Sequence, residues 1–272
     1  MKRMISIGSL SLCVGAWFVL FSSQAYATDE LDARPSSDES GLTILSNATN
    51  VTHWGLGVGV GVVASPYKQY GSKVSPLPMI NFDNKWVRLF GTSVELKIAQ
   101  WGGVGLGLRA QYAIFDGYKA SDSAALEGMQ KRSGAFWYGP AVEWRTEFGT
   151  LSGEYLVSGN KGQRTNIGFG TPFSFGSVSV EPHINVQWLS GKYVNYYYGV
   201  RSEESRSGRA AYGGASTINV SFGSRFAYRI GKHQSITLDV GVTRLGGGIT
   251  DSPLVGKRFV PQVMGGYVYQ FK

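Results

Sequence analysis

The chain is poor in cysteine, in charged residues and in long apolar runs, and each shortage excludes a class of protein. Its one cysteine, Cys13, lies close to the amino terminus, so a disulfide-stapled fold is excluded. Charged residues make up 16% of the sequence and aromatic residues 13%, a composition too apolar for a disordered chain. Beyond residue 27 no run of about 20 consecutive apolar residues occurs, which excludes a bundle of transmembrane helices.

Residues 1–27 have the pattern of a secretory signal peptide. Basic residues stand at positions 2 and 3, positions 4–21 are mostly apolar, and the end of the segment matches an A-x-A cleavage site. A retained anchor helix is the alternative, but the small residues at the cleavage site favour removal. We therefore predict cleavage after Ala27 and export to the periplasm or the outer membrane of a bacterium.

The segment 28–50 differs in composition from everything that follows it. It contains five acidic residues and one arginine, together with serine, asparagine and proline. Such a polar stretch cannot bury enough apolar surface to order itself. We predict a flexible acidic tail on the periplasmic side, followed by one folded unit over residues 51–272.

From Trp54 onward, apolar residues alternate with polar residues or glycines. Between Trp54 and Val62 every second residue is a glycine. The same period of two recurs over residues 104–112, 178–188, 218–228 and 236–242. Successive side chains of a strand point to opposite faces, so each segment has one apolar face and one polar or very small face.

Two architectures produce this alternation. In a soluble sandwich the apolar face turns inward, whereas in an outer-membrane barrel it meets lipid and the polar face lines the lumen. Segments of about ten residues, short turns alternating with long loops, and aromatic residues at the segment ends favour the barrel. Those aromatic residues are Trp54, Trp86, Phe136, Trp144, Tyr155, Trp188, Tyr228, Tyr267, Tyr269 and Phe271. We predict an all-β protein, a transmembrane antiparallel β-barrel.

Loop parity sets the number of strands. Nine segments are clear strands: 54–64, 103–114, 133–146, 148–159, 164–175, 178–190, 215–229, 233–245 and 258–271. The long loops at 115–132, 191–214 and 246–257 all face outward only if an odd number of strands lies between residues 64 and 103. Three short strands at 77–82, 86–90 and 93–100 meet that condition. The prediction is an up-and-down meander of about 12 strands with both chain ends in the periplasm.

The same alternation of outward apolar and inward polar positions predicts which charged side chains face the lumen. These are Glu95, Lys97, Arg109, Glu143, Arg145, Glu154, Glu181, Arg225, Arg229 and Asp239. Acids and bases are equal in number, which indicates a cross-linked interior and not a pore selective for one sign of charge. The inward glycines either leave room for water, a small ligand or the acidic tail, or serve only to permit tight curvature.

The sequence carries no recognised catalytic, metal-binding or cofactor-binding motif. Residues 59–64 match a dinucleotide fingerprint only superficially, because they lie within one alternating strand and not in a strand–turn–helix. The three histidines, His53, His183 and His233, are widely separated. His183 beside Glu181 is better explained as a hydrogen-bonded wall residue than as part of a triad. We therefore predict a non-enzymatic protein without cofactor or metal.

Basic residues exceed acidic ones, giving a formal net charge of +8 at pH 7. Because they form no long basic cluster, nucleic acid is not a predicted partner. We expect contact with anionic lipopolysaccharide and phospholipid headgroups, unless these side chains are simply solvated. The residues concerned are Lys68, Lys73, Lys119, Lys131, Arg132, Lys192, Arg201, Arg206, Arg209, Lys257 and Arg258.

The loop at 191–214 combines tyrosine and arginine, two residue types that are enriched in protein contact surfaces. We predict an outer interaction surface formed by Tyr196, Tyr197, Tyr198, Arg201, Glu203, Glu204, Arg206, Arg209 and Tyr212. In the alternative interpretation the tyrosines belong to the outer aromatic girdle and the remaining side chains are solvated.

The same loop carries a family resemblance. The run YYGV at 197–200, followed by Glu204, Gly208 and Tyr212, resembles the signature of the MipA/OmpV family. Three further pieces agree in order: Pro66-Tyr67, Leu77-Pro78 and Ser252-Pro253-Leu254-Val255. The resemblance implies an outer-membrane barrel. It also implies a scaffold that joins a lytic transglycosylase (MltA) to a bifunctional penicillin-binding protein, with adhesion, antigenicity or osmotic response in other members and no established catalytic residues.

Three functional hypotheses follow from these features. The first is a non-enzymatic scaffold or docking protein for the cell-envelope machinery that builds and cuts murein. The second is a narrow channel for small solutes, suggested by inward glycines and polar residues. The third is a surface adhesin that acts through the loop 191–214.

Overall fold

The computed structural model describes residues 43–44 and 50–271. The predicted signal peptide, its cleavage point after Ala27 and most of the acidic tail lie outside the described residues. Within the described part, no helix is long and apolar enough to cross a membrane.

Twelve antiparallel strands close into a barrel in chain order. They are β1 (His53–Ala64), β2 (Ser72–Asp83), β3 (Val87–Phe90), β4 (Ser93–Trp101), β5 (Val104–Tyr112), β6 (Phe136–Thr146), β7 (Gly149–Ser158), β8 (Gly162–Gly170), β9 (Val178–Leu189), β10 (Thr217–Ile230), β11 (Gln234–Arg244) and β12 (Phe259–Gln270). β12 pairs with β1, placing Gly266 opposite Gly59 and completing the ring. This confirms the predicted all-β, up-and-down barrel.

The apolar face of each strand is on the outside of the ring. In β1 the exposed fractions of Leu56 and Val58 are 47% and 72%, whereas Val63 is fully buried. A Cβ atom at Gly57 would overlap the backbone carbonyl of Tyr267 in β12. Glycine is required here because the backbones of the two strands approach too closely to admit a Cβ atom. This inward glycine is therefore explained by close approach of the backbones and not by free space.

β2 is longer than the sequence predicted. The expected strand 77–82 is only the second half of β2, which spans Ser72–Asp83 because Pro76 and Pro78 do not interrupt it. The carbonyl of Ile80 accepts a backbone hydrogen bond from Gly91, so the backbone groups of Ile80 point away from β1. In an antiparallel strand every second residue has the same backbone orientation, so those of Pro76 and Pro78 point away from β1 as well. In the described part of the chain β3 covers this edge only at the periplasmic end. Proline has no N–H to leave unpaired at such an edge.

Two further strands differ from the prediction in detail. The strand expected at 164–175 is divided near Pro172, and its end, Phe173–Phe175, pairs with β9 beyond the end of β8. Thr43–Ile44 adds a short strand to β4 opposite residues 99–100. The short strands expected at 86–90 and 93–100 correspond to β3 and β4.

The long connections lie at one end of the barrel and pack together there. We define the outer cap as residues 65–71, 113–135, 190–216 and 245–258, which include helices α1 (Gly191–Tyr198) and α2 (Gly247–Thr250). Its core side chains are fully or almost fully buried against inward side chains of the wall: Tyr67, Tyr118, Leu126, Tyr193, Tyr197 and Leu254 in the cap, and Val63, Trp137, Leu156, Leu189 and Met264 in the wall. The cap therefore fills the outer mouth. Long loops mark the extracellular end of such barrels.

Candidate functional site

Ion pairs cross-link the lumen on the side of β2 to β6. Arg88 lies between Asp83 and Glu143, at 2.8 Å and 3.0 Å. Lys97 Nζ lies 2.6 Å from the other oxygen of Asp83. Each of these charges therefore has an opposite charge within hydrogen-bond distance, which offsets the cost of removing it from water.

A second arginine extends the network across β6. Arg109 contacts Glu95 in β4 and, at 2.6 Å, Glu154 in β7. The residues of β6 beneath its side chain are Gly139 and Ala141. Because these residues are small, the long side chain of Arg109 can pass over β6 and reach Glu154 in β7.

From Glu154 the network continues along the wall through uncharged side chains. Asn166 donates to Glu154 at 2.5 Å, Gln187 donates to Asn166 at 2.9 Å, and Asn219 donates to Gln187 at 3.2 Å. Asn219 then accepts from the backbone N–H of Gly246 in the outer cap. We name the chain of contacts from Asp83 to Gly246 the lumen belt. It ties the wall from β2 to β10 to the outer cap.

A separate cluster lies on β9 to β11. Arg225 is placed between Glu181 at 3.8 Å and Asp239 at 3.3 Å. The two other predicted bases lie at the periplasmic end. Arg145 pairs with Glu143 at 2.8 Å while its side chain is 58% exposed, and Arg229 donates to the carbonyl of Gly176.

Sequence reasoning missed four inward charges. Asp83 and Arg88 belong to the lumen belt, and Lys73 and Arg164 are buried near the outer cap. Val87 and Leu89 flank Arg88 and face outward with Leu96 and Val94, so the alternation within β3 was a usable signal for Arg88. Lys73 and Asp83 were missed because they lie outside the strand predicted at 77–82, although both belong to β2.

The outer cap is joined by a buried ion pair between two of its loops. Arg132 Nη2 donates to both carboxylate oxygens of Glu204, at 2.9 Å and 2.8 Å. The N–H groups of Gln130 and Arg201 donate to the same carboxylate. Burial works against the charged form, but these N–H groups and Arg132 hold the pKa of Glu204 below its ordinary value.

Arg209 fixes the same loop to the chain between β5 and β6. Its guanidinium donates to the carbonyls of Ala125 and Glu127, at 3.0 Å and 2.8 Å, and to the carbonyl of Glu204. The turn that brings Arg209 back passes through Gly208, whose φ is +77°. Glycine adopts that conformation without steric cost, which explains a glycine at this position of the signature.

The tyrosines of the signature make the remaining contacts between loops. The carbonyl of Tyr197 accepts from Tyr67 at 2.9 Å, and the carbonyl of Tyr198 accepts from Ser252 at 2.6 Å. Tyr212 donates to the carbonyl of Gly248 at 2.8 Å. The signature residues and the pieces around positions 67 and 252 are therefore the residues that assemble the outer cap.

This geometry separates the predicted outer-loop residues into two groups. Tyr197, Tyr198, Glu204 and Arg209 are buried within the outer cap, and Tyr196 and Tyr212 are half-buried. Arg201, Glu203 and Arg206 are exposed. A contact surface on this loop is therefore restricted to the exposed group, and the burial of the others was not expected.

A buried carboxylate lies where the cap meets the wall. Asp116 accepts from Tyr193 at 3.5 Å and is 4% exposed. Burial raises its pKa from 3.8 to about 6, and the charges of Arg164, Lys73 and Lys161 counteract part of that rise. The same burial raises the pKa of Tyr193 well above its ordinary value.

A closed ring with an apolar exterior, a polar cross-linked interior and a cap of long loops defines an outer-membrane β-barrel. The family model of the MltA-interacting protein MipA matches residues 56–271. The chain therefore belongs to the MipA family. It is 30% identical to the MltA-interacting protein of Escherichia coli (strain K12) over 84% of this chain and 96% of that protein.

Other relatives are also named as outer-membrane proteins. The outer membrane protein OmpV of Vibrio cholerae is 28% identical over 51% of this chain and 55% of that protein. Among solved structures, the outer-membrane expressed OmpT of Vibrio cholerae aligns with 84% of this chain and 100% of that chain, with 8% identity and a TM-score of 0.36.

Proposed function

We propose that this protein is a non-enzymatic docking protein that holds enzymes of murein synthesis and hydrolysis at the periplasmic face of the outer membrane. The observation that carries the proposal is its similarity to a protein named as interacting with MltA, along 96% of that protein's length. Its partners are accordingly a lytic transglycosylase and a bifunctional penicillin-binding protein.

The distribution of contacts within the barrel supports a periplasmic docking face. The lumen belt occupies the polar interior, and the outer cap occupies the outer mouth. Murein enzymes work in the periplasm, where the barrel presents its short turns. We define the periplasmic rim as residues 84–86, 102–103, 147–148, 171–177 and 231–233.

The periplasmic rim combines exposed aromatic and basic side chains. Phe148 and Phe175 are 72% and 67% exposed, and Thr171 donates to the carbonyl of Phe148 at 2.7 Å, which joins the two turns. Lys85 lies over the ring of Trp86 at 4.5 Å. Exposed aromatic side chains of this kind are enriched in protein contact surfaces.

The test is recovery of the two enzymes with full-length protein solubilised from membranes in mild detergent. We expect wild-type protein to recover a lytic transglycosylase, and Phe148→Ser with Phe175→Ser to reduce recovery at least tenfold. Phe136→Ser is the matched control, because Phe136 is 70% exposed but lies at the outer end of β6. Wild-type protein that recovers neither enzyme overturns the proposal, and so does equal loss in the control.

A narrow channel for small solutes is a second candidate function. A row of polar inward side chains on β9, formed by Glu181, His183, Asn185 and Gln187, favours it, whereas the packed outer cap opposes it. Planar-bilayer recordings distinguish the two. The docking proposal predicts no conductance steps, even after deletion of residues 28–50, and stepwise conductance would instead support a channel.

A surface adhesin is a third candidate and depends on the exposed part of the loop 191–214. The side chains of Arg201, Glu203 and Arg206 are 49%, 63% and 43% exposed. Replacing all three with serine leaves the buried contacts of the outer cap in place. Loss of attachment to host cells or matrix in this variant would support adhesion, and unchanged attachment would exclude this surface.

A further inference from the structure

One charged residue lies on the lipid-facing surface of the barrel wall. The outward positions of the twelve strands, all of which the structure describes, carry apolar, small or uncharged polar side chains except at Arg244, the last residue of β11. Its neighbours on the adjacent strands are Val220 and Phe259. An arginine on this surface is costly at mid-membrane and is tolerated near the interface, where β11 ends.

The guanidinium of Arg244 faces the membrane without an internal partner. Among the described residues, none forms a hydrogen bond or an ion pair with it. This contrasts with the lumen belt, where each arginine contacts at least one carboxylate. The groups that contact its guanidinium therefore lie outside the protein, in the membrane or in water.

A second cation lies on the same outer surface. The ladder of β11 and β12 continues one pair beyond Arg244, because Leu245 donates to the carbonyl of Arg258 at 2.8 Å. Lys257 is thus the diagonal neighbour of Arg244, on the face that carries Phe259, at a distance of about 7–8 Å between diagonal positions. Lys257 Nζ also donates to the carbonyl of Gly71 at 3.2 Å.

The surrounding rim is strongly basic. Exposed Lys68 lies beside this pair with its side chain against Gly256, whereas Arg258, opposite Leu245, occupies the other face of the ladder. Over residues 61–75 and 244–260 the only acid is Asp251. This concentration of cations at the level where the outer leaflet begins matches an anionic headgroup, since guanidinium and phosphate form strong paired hydrogen bonds.

From these observations we infer that Arg244 and Lys257 form a binding site for a phosphate of the phosphorylated glycolipid in the outer leaflet, the lipid A part of lipopolysaccharide. The phosphate lies between the two cations, and the acyl chains lie along Phe259, which is level with Arg244, and along Val242 on the wall below. This site faces the outer leaflet and is independent of docking at the periplasmic rim.

The test is binding of bis-phosphorylated lipid A to the full-length barrel in detergent micelles, measured by native mass spectrometry. We expect Arg244→Gln to weaken lipid A binding at least tenfold and Lys257→Gln to weaken it less. Arg244→Lys, which keeps the charge but loses the paired hydrogen bonds of the guanidinium, should bind with an affinity between those of wild type and Arg244→Gln. Lys232→Gln is the matched control, because it removes one exposed cation at the periplasmic end and leaves binding unchanged.

Two further ligands identify the chemistry that is recognised. Wild-type protein should bind dephosphorylated lipid A and phosphatidylglycerol at least tenfold more weakly than bis-phosphorylated lipid A. The inference is overturned if Arg244→Gln and Lys232→Gln bind lipid A alike, or if either comparison ligand binds as tightly as lipid A. Retention of the folded form on unheated gels shows that each variant is still a closed barrel.

Discussion

Replacing Glu204 with glutamine tests whether the outer cap is held by its buried ion pair. Glu204→Gln preserves the size of the side chain but leaves the charge of Arg132 without its carboxylate, at a place where both side chains are only 2–3% exposed. Removing one partner of a buried pair costs about 3–5 kcal/mol, because the other charge remains buried. The N–H groups of Gln130 and Arg201 also lose a charged acceptor. We therefore expect a loss of about 3–5 kcal/mol in the free energy of unfolding.

The assay is urea-induced unfolding of the folded barrel in detergent micelles, followed by tryptophan fluorescence. Glu203→Gln is the control, because Glu203 is the neighbouring acid and its side chain is 63% exposed; its expected change is below about 0.5 kcal/mol. The pKa of Glu204 is lowered in the folded state, so its contribution is present above the ordinary value of 4.5 and is lost as the pH falls further. A loss equal to that of Glu203→Gln at pH 7 would refute the reasoning.

Two further predictions concern the chain between β5 and β6. The pKa of Asp116 is raised from 3.8 to about 6, so the folded state binds this proton more tightly than the unfolded state, and its destabilising effect appears as the pH rises through that window. The stability of Asp116→Asn relative to wild type should therefore increase by about 2.5 kcal/mol between pH 4 and pH 8 in urea titrations, and a difference independent of pH would contradict this. Gly117 has a φ of +90° and an added Cβ would overlap the carbonyl of Arg132, so Gly117→Ala should cost about 2 kcal/mol or more. Gly213→Ala, which meets nothing nearby, should be neutral in the same assay.

The wall of the barrel was predictable because each strand has one face in lipid and the other in a polar lumen. Lipid on one side and a polar lumen on the other impose a period of two, and this period is visible in residues 54–62 and 178–188 without any structure. The tight turns and the parity of the long loops then gave the order of strands. The predicted strand at 77–82 was shorter than β2. A proline is tolerated in a strand only where its missing N–H would face an unpaired edge, and whether β2 has such an edge depends on the length of β3, which the sequence of β2 does not reveal.

The outer cap was not predictable by the same reasoning. Its segments have no regular period, and its polar composition is typical of solvated loops. Tyr197, Glu204 and Arg209 are buried because four separate loops meet over the barrel mouth, and such contacts between distant segments leave no local signal. The signature at 197–212 marked these residues as special, while their role as internal anchors became clear only from their partners.

The central claim is that apolar side chains face lipid and polar side chains face an enclosed lumen. Single cysteines at Ile184, Asn185, Val242 and Thr243 test it, because the only native cysteine is Cys13 in the predicted leader. Each is labelled with a fluorophore and the barrel is placed in vesicles of brominated lipid. We predict strong quenching at positions 184 and 242 and little at 185 and 243. Quenching without this alternation, or stronger quenching at 185 and 243, would contradict the barrel's assigned faces.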